Sequence, residues 1–157
     1  MNDTFETPAR HDRAVRALAV FAVVAIAVFT LPGRASADSA SDASVAADLV
    51  NGTRWANGLA GLTPDWELQV AANRQAQAMA ESNVIYHSDL GSGLSWGWWA
   101  WAENVGQGPS VGAVHGGFMN SPHHASNVLS DRYNYIGVGV AYGRDGTVYV
   151  AQVFGAW

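Results

Sequence analysis

Between residues 45 and 80 the apolar positions recur at helical spacing. Val45, Leu49 and Val50, with Ala46, form a first stripe. Gly52 and Asn57-Gly58 limit that helix, and Gly58 or Gly61 suits the position just past its end. Leu62-Thr63-Pro64-Asp65 then reads as a second helix start, with Thr63 as cap and Pro64 in the first helical position. Asp65 and Glu67 complement the helix dipole there. Leu68, Ala72, Ala76 and Met79 follow on one face, and the small alanines predict a close approach to a sheet or another helix. Residues 83–101 lose the period. Gly91, Gly93, Gly97 and several serines predict a loop. Val111, Val114 and Phe118 predict a third helix from Ser110, and Ser121-Pro122 opens a short fourth one capped by Ser121. After Asn134 the period changes to two. Ile136, Val138 and Val140 alternate with Gly137, Gly139 and Ala141, Gly143-Arg144-Asp145-Gly146 turns the chain, and residues 147–154 alternate again. That is a C-terminal β-hairpin. Helices first and a hairpin last predict an α+β fold with helices packed on an antiparallel sheet.

The first 37 residues follow another logic. Arg10, Arg13 and Arg16 precede an apolar run from Ala17 to Leu31, Pro32-Gly33 breaks it, and Ala35-Ser36-Ala37 gives the small-x-small pattern of a cleavage site. This reads as a signal peptide cut after Ala37, with an uncleaved N-terminal anchor as the alternative. The run falls short of the ~20 residues of a comfortable span, so no transmembrane domain is expected after cleavage. Residues 38–44, rich in Ser, Ala and Asp, read as a flexible lead-in, and residues 45–157 as one domain.

Charge narrows the partners. From residue 38 onward there are four arginines, no lysine and ten acidic residues, a formal charge of −6. Such a domain repels phosphate backbones, which argues against nucleic acid, and it has no polybasic stretch for anionic lipid. The absence of cysteine excludes disulfides and thiol catalysis.

The candidate chemistry lies in His87, Glu103, His115, His123 and His124. No pair among them has the i,i+4 spacing of a helical metal clamp. His115 reads as solvent-facing. Asn104 reads as a loop support, bonding backbone groups. Trp96, Trp98, Trp99 and Trp101 crowd the segment before Glu103. They either pack that loop onto the domain or form an aromatic rim for sugar or lipid.

In order along the chain stand Leu49-Val50-Asn51 with Arg54 and Gly58-Leu59; Leu68, Ala72 and Met79-Ala80; His87-Ser88; Glu103-Asn104-Val105-Gly106; Phe118-Met119-Asn120-Ser121-Pro122 with His124; Asn127-Val128-Leu129; Ile136-Gly137-Val138-Gly139-Val140; and Gln152-Val153-Phe154. Over about residues 45–155 this series resembles the CAP superfamily (cysteine-rich secretory proteins, antigen 5 and pathogenesis-related class 1, or SCP domains), in its cysteine-free bacterial branch. The resemblance implies a three-layer α-β-α sandwich. It also implies an open cleft holding His87, Glu103 and His124, with Asn104 beside them. His87 and His124 would be the ligands of any divalent metal, zinc foremost. Ala102, His123, Ala125 and Ala151 depart from the residues usual in the family, and Tyr149-Val150-Ala151 stands where the eukaryotic branch has its second cleft histidine. His123 either replaces a lost ligand or points to water.

The resemblance implies a secreted, extracellular, monomeric binding module for a small lipid, glycan or protein ligand. The alternative is a metal-assisted hydrolase or protease, with Glu103 as general base on a metal-bound water. A surface protein with a vestigial cleft is the third reading. Ser88 and Ser121 neighbour candidate histidines, but no Gly-x-Ser-x-Gly elbow is present.

Overall fold

The computed structural model describes residues 33–157. The expected signal segment therefore lies, up to residue 32, outside the described residues. Helix α1 (Gly33–Ala56) is followed by β1 (Thr63–Pro64), α2 (Trp66–Ser82), the single turn α3 (Leu90–Gly93), β2 (Ala100–Gly108), α4 (Val111–Met119), α5 (Pro122–Val128), β3 (Tyr135–Tyr142) and β4 (Val148–Ala156). Among the described residues no helix is long and apolar enough to cross a membrane.

The four strands form one sheet in the order β1-β3-β4-β2. β2, β4 and β3 pair antiparallel, and β1 adds a two-residue parallel edge, Thr63 opposite Tyr135 and Pro64 opposite Ile136. Strand side chains alternate between faces, and this alternation builds two cores. Ile136, Val138, Val140, Val148, Val150 and Phe154 pack under α1 and α4 with Ala46, Val50, Val114 and Phe118. Tyr149, Ala151 and Val153 face the other way, onto Leu68, Ala72, Ala76 and Met79 of α2. This is an α+β, three-layer α-β-α sandwich around a central antiparallel sheet that ends in the C-terminal hairpin.

Gly137 and Gly139 set the distance between α2 and the sheet. A Cβ at Gly137 would overlap the backbone of Leu68 and Gln69, and one at Gly139 the backbone of Ala72 and Asn73. The hairpin turn closes through Gly143 N–H to the Thr147 carbonyl, 2.8 Å, and needs Gly146 at φ 83°.

Three sequence expectations shift. Residues 38–44 are helical, because Ala43 and Ala47 pack against the core and Asp42 accepts from the Tyr142 hydroxyl, which ties this stretch to β3. The cap of α2 is Asp65, not Thr63. Its carboxylate accepts from Glu67 N–H and Leu68 N–H, while Thr63 and Pro64 are extended on the sheet edge, where a proline costs no ladder bond. Finally, β2 occupies residues 100–108, overlapping the end of the expected loop. Its alternation was masked because both faces carry polar groups, Glu103 on one and Asn104 on the other.

Candidate functional site

The site is built around two adjacent residues of β2, the edge strand opposite β1. Glu103 pairs in register with Val153 and Asn104 with Gln152, so the two side chains leave opposite faces of the sheet.

On the α2 face, Glu103 meets the segment that follows α2. Its Oε2 lies 2.9 Å from Nδ1 of His87 and accepts the Ser88 backbone N–H at 2.9 Å, and its Oε1 accepts the Ser88 hydroxyl at 2.7 Å. The Glu103 side chain is 4% exposed and that of His87 56%. The imidazole therefore stands in solvent with its inner nitrogen held. Upstream, the buried Gln75 of α2 donates to the Tyr86 carbonyl and fixes the approach to His87.

On the other face, fully buried Asn104 acts as a strut. Its Nδ2 donates to the His124 carbonyl at 3.1 Å and to Gln152 Oε1 at 3.2 Å, and its Oδ1 accepts from Asn127 at 2.8 Å. Asn104 thus supports His124 from below and has no face toward a ligand. Ser121 occupies the cap position of α5 but makes no side-chain cap bond. Its hydroxyl lies 2.9 Å from His124 Nδ1 instead. The His124 ring also packs on Phe118, centroids 5.1 Å apart. Burial, then the charges of His123 and His87, lower the His124 pKa, so its neutral form is favoured.

His87 is thus held from the α2 face of β2 and His124 from the other face. In each ring Nδ1 is held by a protein oxygen, and Nε2 has no protein partner among the described residues. Among those residues no group of three or more His, Asp or Glu is gathered to hold a metal ion. Two imidazoles are one protein ligand short of the usual open zinc site and two short of a closed structural one, so water would have to complete any coordination there.

The remaining aromatic and histidine expectations divide. Trp98 is buried against Tyr135 and donates to Glu67 at 2.9 Å, so it does pack its loop onto the domain. Burial alone would raise the Glu67 carboxyl, but hydrogen bonds from Trp98 and Ser95 outweigh it and hold the group below its usual range. Trp96, Trp99 and Trp101 are exposed, Trp96 completely. Trp101 shares its face of β2 with Glu103. His123 is exposed. His115 is not solvent-facing. Its Nε2 lies 2.8 Å from the Thr53 hydroxyl and its Nδ1 is buried without a partner, because α4 packs this side against α1. The sequence reading missed the roles of Gln75, Ser121, Asn127 and Gln152. A glutamine inside the apolar stripe of α2 was the one visible signal among them.

Residues 47–154, more than half of the chain, match the cysteine-rich secretory protein family, CAP. The chain belongs to the CAP family. No curated protein matches it. Solved structures with the CAP fold are similar in shape. An outer surface protein from Borrelia burgdorferi has 20% identity and a TM-score of 0.66 over 73% of this chain and 92% of its own. An extracellular protein containing a SCP domain from Bacillus anthracis has 22% identity and a TM-score of 0.69 over 80% of this chain and 44% of its own. A cysteine-rich secretory protein from Staphylococcus aureus has 24% identity and a TM-score of 0.62 over 74% of this chain and 38% of its own. The CAP chain described here spans less than half the length of the latter two.

Proposed function

We propose that this CAP domain is an exported, extracellular binding module that takes a small lipid, glycan or protein ligand in the cleft of His87, Glu103 and His124. The observation that carries this reading is the state of Glu103. Both of its carboxylate oxygens are engaged by His87 and Ser88 and the side chain is only 4% exposed, which favours the role of orienting an imidazole over that of taking a proton from water. Ser88 donates to that carboxylate through both its N–H and its hydroxyl. Exposed Trp101, on the Glu103 face of β2, gives the cleft an apolar lip of the kind that stacks on sugar rings or acyl chains. Export follows from the N-terminal pattern, with cleavage after Ala37, and the domain is read as a monomer.

The two-histidine donor set favours one second reading, a metal-assisted hydrolase. His87 and His124 would hold a divalent ion such as zinc through their Nε2 atoms. Such an ion, when bound, lowers the pKa of a coordinated water. Glu103 then serves as the group that orients His87, as carboxylates beside metal-bound histidines do.

Calorimetric titration with zinc, wall glycans and envelope lipids, on the chain and on a His87→Ala/His124→Ala variant, separates these readings. Saturable lipid or glycan binding that the variant loses supports the module. One-to-one zinc binding lost in the variant, with turnover of an ester or peptide substrate, supports the hydrolase. No saturable ligand at all removes the binding reading.

A further inference from the structure

The sheet edge farthest from the histidine cleft is incomplete. β1 covers this edge of β3 only at Tyr135 and Ile136, and among the described residues β3 runs on to Tyr142 with no strand on the side away from β4. The Asp65 N–H bonds the Ile136 carbonyl, so at Ile136 the β3 backbone points outward. Two residues on, the Gln69 side chain imitates a neighbouring strand. Its Nε2 donates to the Val138 carbonyl at 2.5 Å and its Oε1 accepts the Val138 N–H at 3.2 Å. By the same alternation Val140 turns its N–H and carbonyl outward, and no partner reaches them among the described residues. Here the edge opens into a trench of about 790 Å³. Ala40, Ser44 and Asp48 of α1 line one wall and Gln69, Asn73 and Gln77 of α2 the other. These two helices cover opposite faces of the sheet, so the trench has the height of a strand position.

The geometry points to a docking site for an extended, positively charged peptide segment that adds to the sheet beside β3. The unpaired backbone at Val140 supplies main-chain hydrogen bonds, the mode by which exposed sheet edges take up peptides. Small side chains on α1 leave room for alternate residues of the guest, and the amides of Asn73 and Gln77, one turn apart on α2, offer polar partners to the others. Charge sets the sign. Asp48 lines the trench, Asp38, Asp42 and Glu81 stand with Arg144 around its Tyr142 end, and among the described residues neither arginine nor lysine lines it. The cleft at β2 takes no part in this site.

The test uses the full chain and the peptide acetyl-(Lys-Val)3-amide, with amide hydrogen exchange as the readout. Expected is slowing of exchange at Val140 by about tenfold or more, with Gly139, which faces β4, unchanged. Ser44→Trp, at an exposed position that fills the trench, and Asp48→Asn should each weaken binding by about tenfold. Circular dichroism of both variants and their unchanged Gly139 exchange report an intact fold. A peptide N-methylated at alternate residues should not bind. Equal binding of the methylated peptide, or binding that leaves Val140 unprotected, overturns the proposal. Protection of Val140 that grows with protein concentration in the absence of peptide also overturns it, and assigns the edge to a second copy of the chain.

Discussion

His87 and Glu103 form one hydrogen-bonded pair in which the carboxylate is buried and the imidazole stands in solvent, 2.9 Å between Nδ1 and Oε2. Removing the carboxylate orphans Ser88 as well as His87. Glu103→Ala is expected to lower stability by about 1.5–3 kcal/mol, the worth of hydrogen bonds to a charged group. Urea denaturation measures it. Glu103→Gln, which retains one acceptor oxygen, should lose less. If the two variants match wild type, Glu103 does not brace the site.

Arg54 is an inner clamp. Only 2% exposed, it donates to the carbonyls of Ala60, Val128 and Ser130 at 2.7–2.8 Å, which joins the end of α1 to the end of α5. Arg54→Met leaves these carbonyls without their donor, and a loss of about 3 kcal/mol is expected. Arg54→Lys cannot span the three acceptors and should fall between. A midpoint unchanged in urea contradicts the clamp.

Glycines on β3 and α4 should respond in opposite ways. Gly137→Ala or Gly139→Ala drives a methyl into the α2 backbone and is expected to cost about 3 kcal/mol or more. Gly112→Ala and Gly117→Ala meet nothing within 4 Å inside a helix and should each stabilise by about 0.5–1 kcal/mol. Thermal melts of the four variants decide both halves.

Acid should weaken the fold through two histidines. Burial lowers the pKa of His115, and burial with the charges of His123 and His87 lowers that of His124. A histidine depressed on folding binds fewer protons in the native state. Its contribution is therefore complete above the unfolded value of about 6.5 and is lost as pH falls through the folded value. Stability measured from pH 7.5 to 5 should decline, and His115→Gln should flatten part of the slope. A decline of unchanged steepness in that variant rules His115 out.

The pattern of this chain was most legible where one period governed one face. The β3–β4 hairpin showed itself because valines and isoleucine alternate with residues too small to keep α2 away. The stripe of α2 was equally plain, but its start was not, since Thr63-Pro64 satisfies the rules for a helix start and for an edge strand. Only pairing with Tyr135 and Ile136 chooses between them. Glu103 and Asn104 hid β2 because a polar residue on each face cancels the alternation. In the site, the resemblance picked out His87, Glu103 and His124. It could not say that Glu103 is hydrogen-bonded through both oxygens, that Asn104 is buried, or that Ser121 bonds an imidazole instead of the helix end, since all three depend on contacts distant in sequence.

Because Glu103 and Asn104 are consecutive, the groups that hold the His87 imidazole and the His124 backbone carbonyl are separated by a single planar peptide unit of an edge strand. The spacing of these two supports is thus set by covalent geometry and by the register of β2 on β4. A one-residue slip of β2 would exchange the two supports and undo the bonds to His87 and to the His124 carbonyl at once.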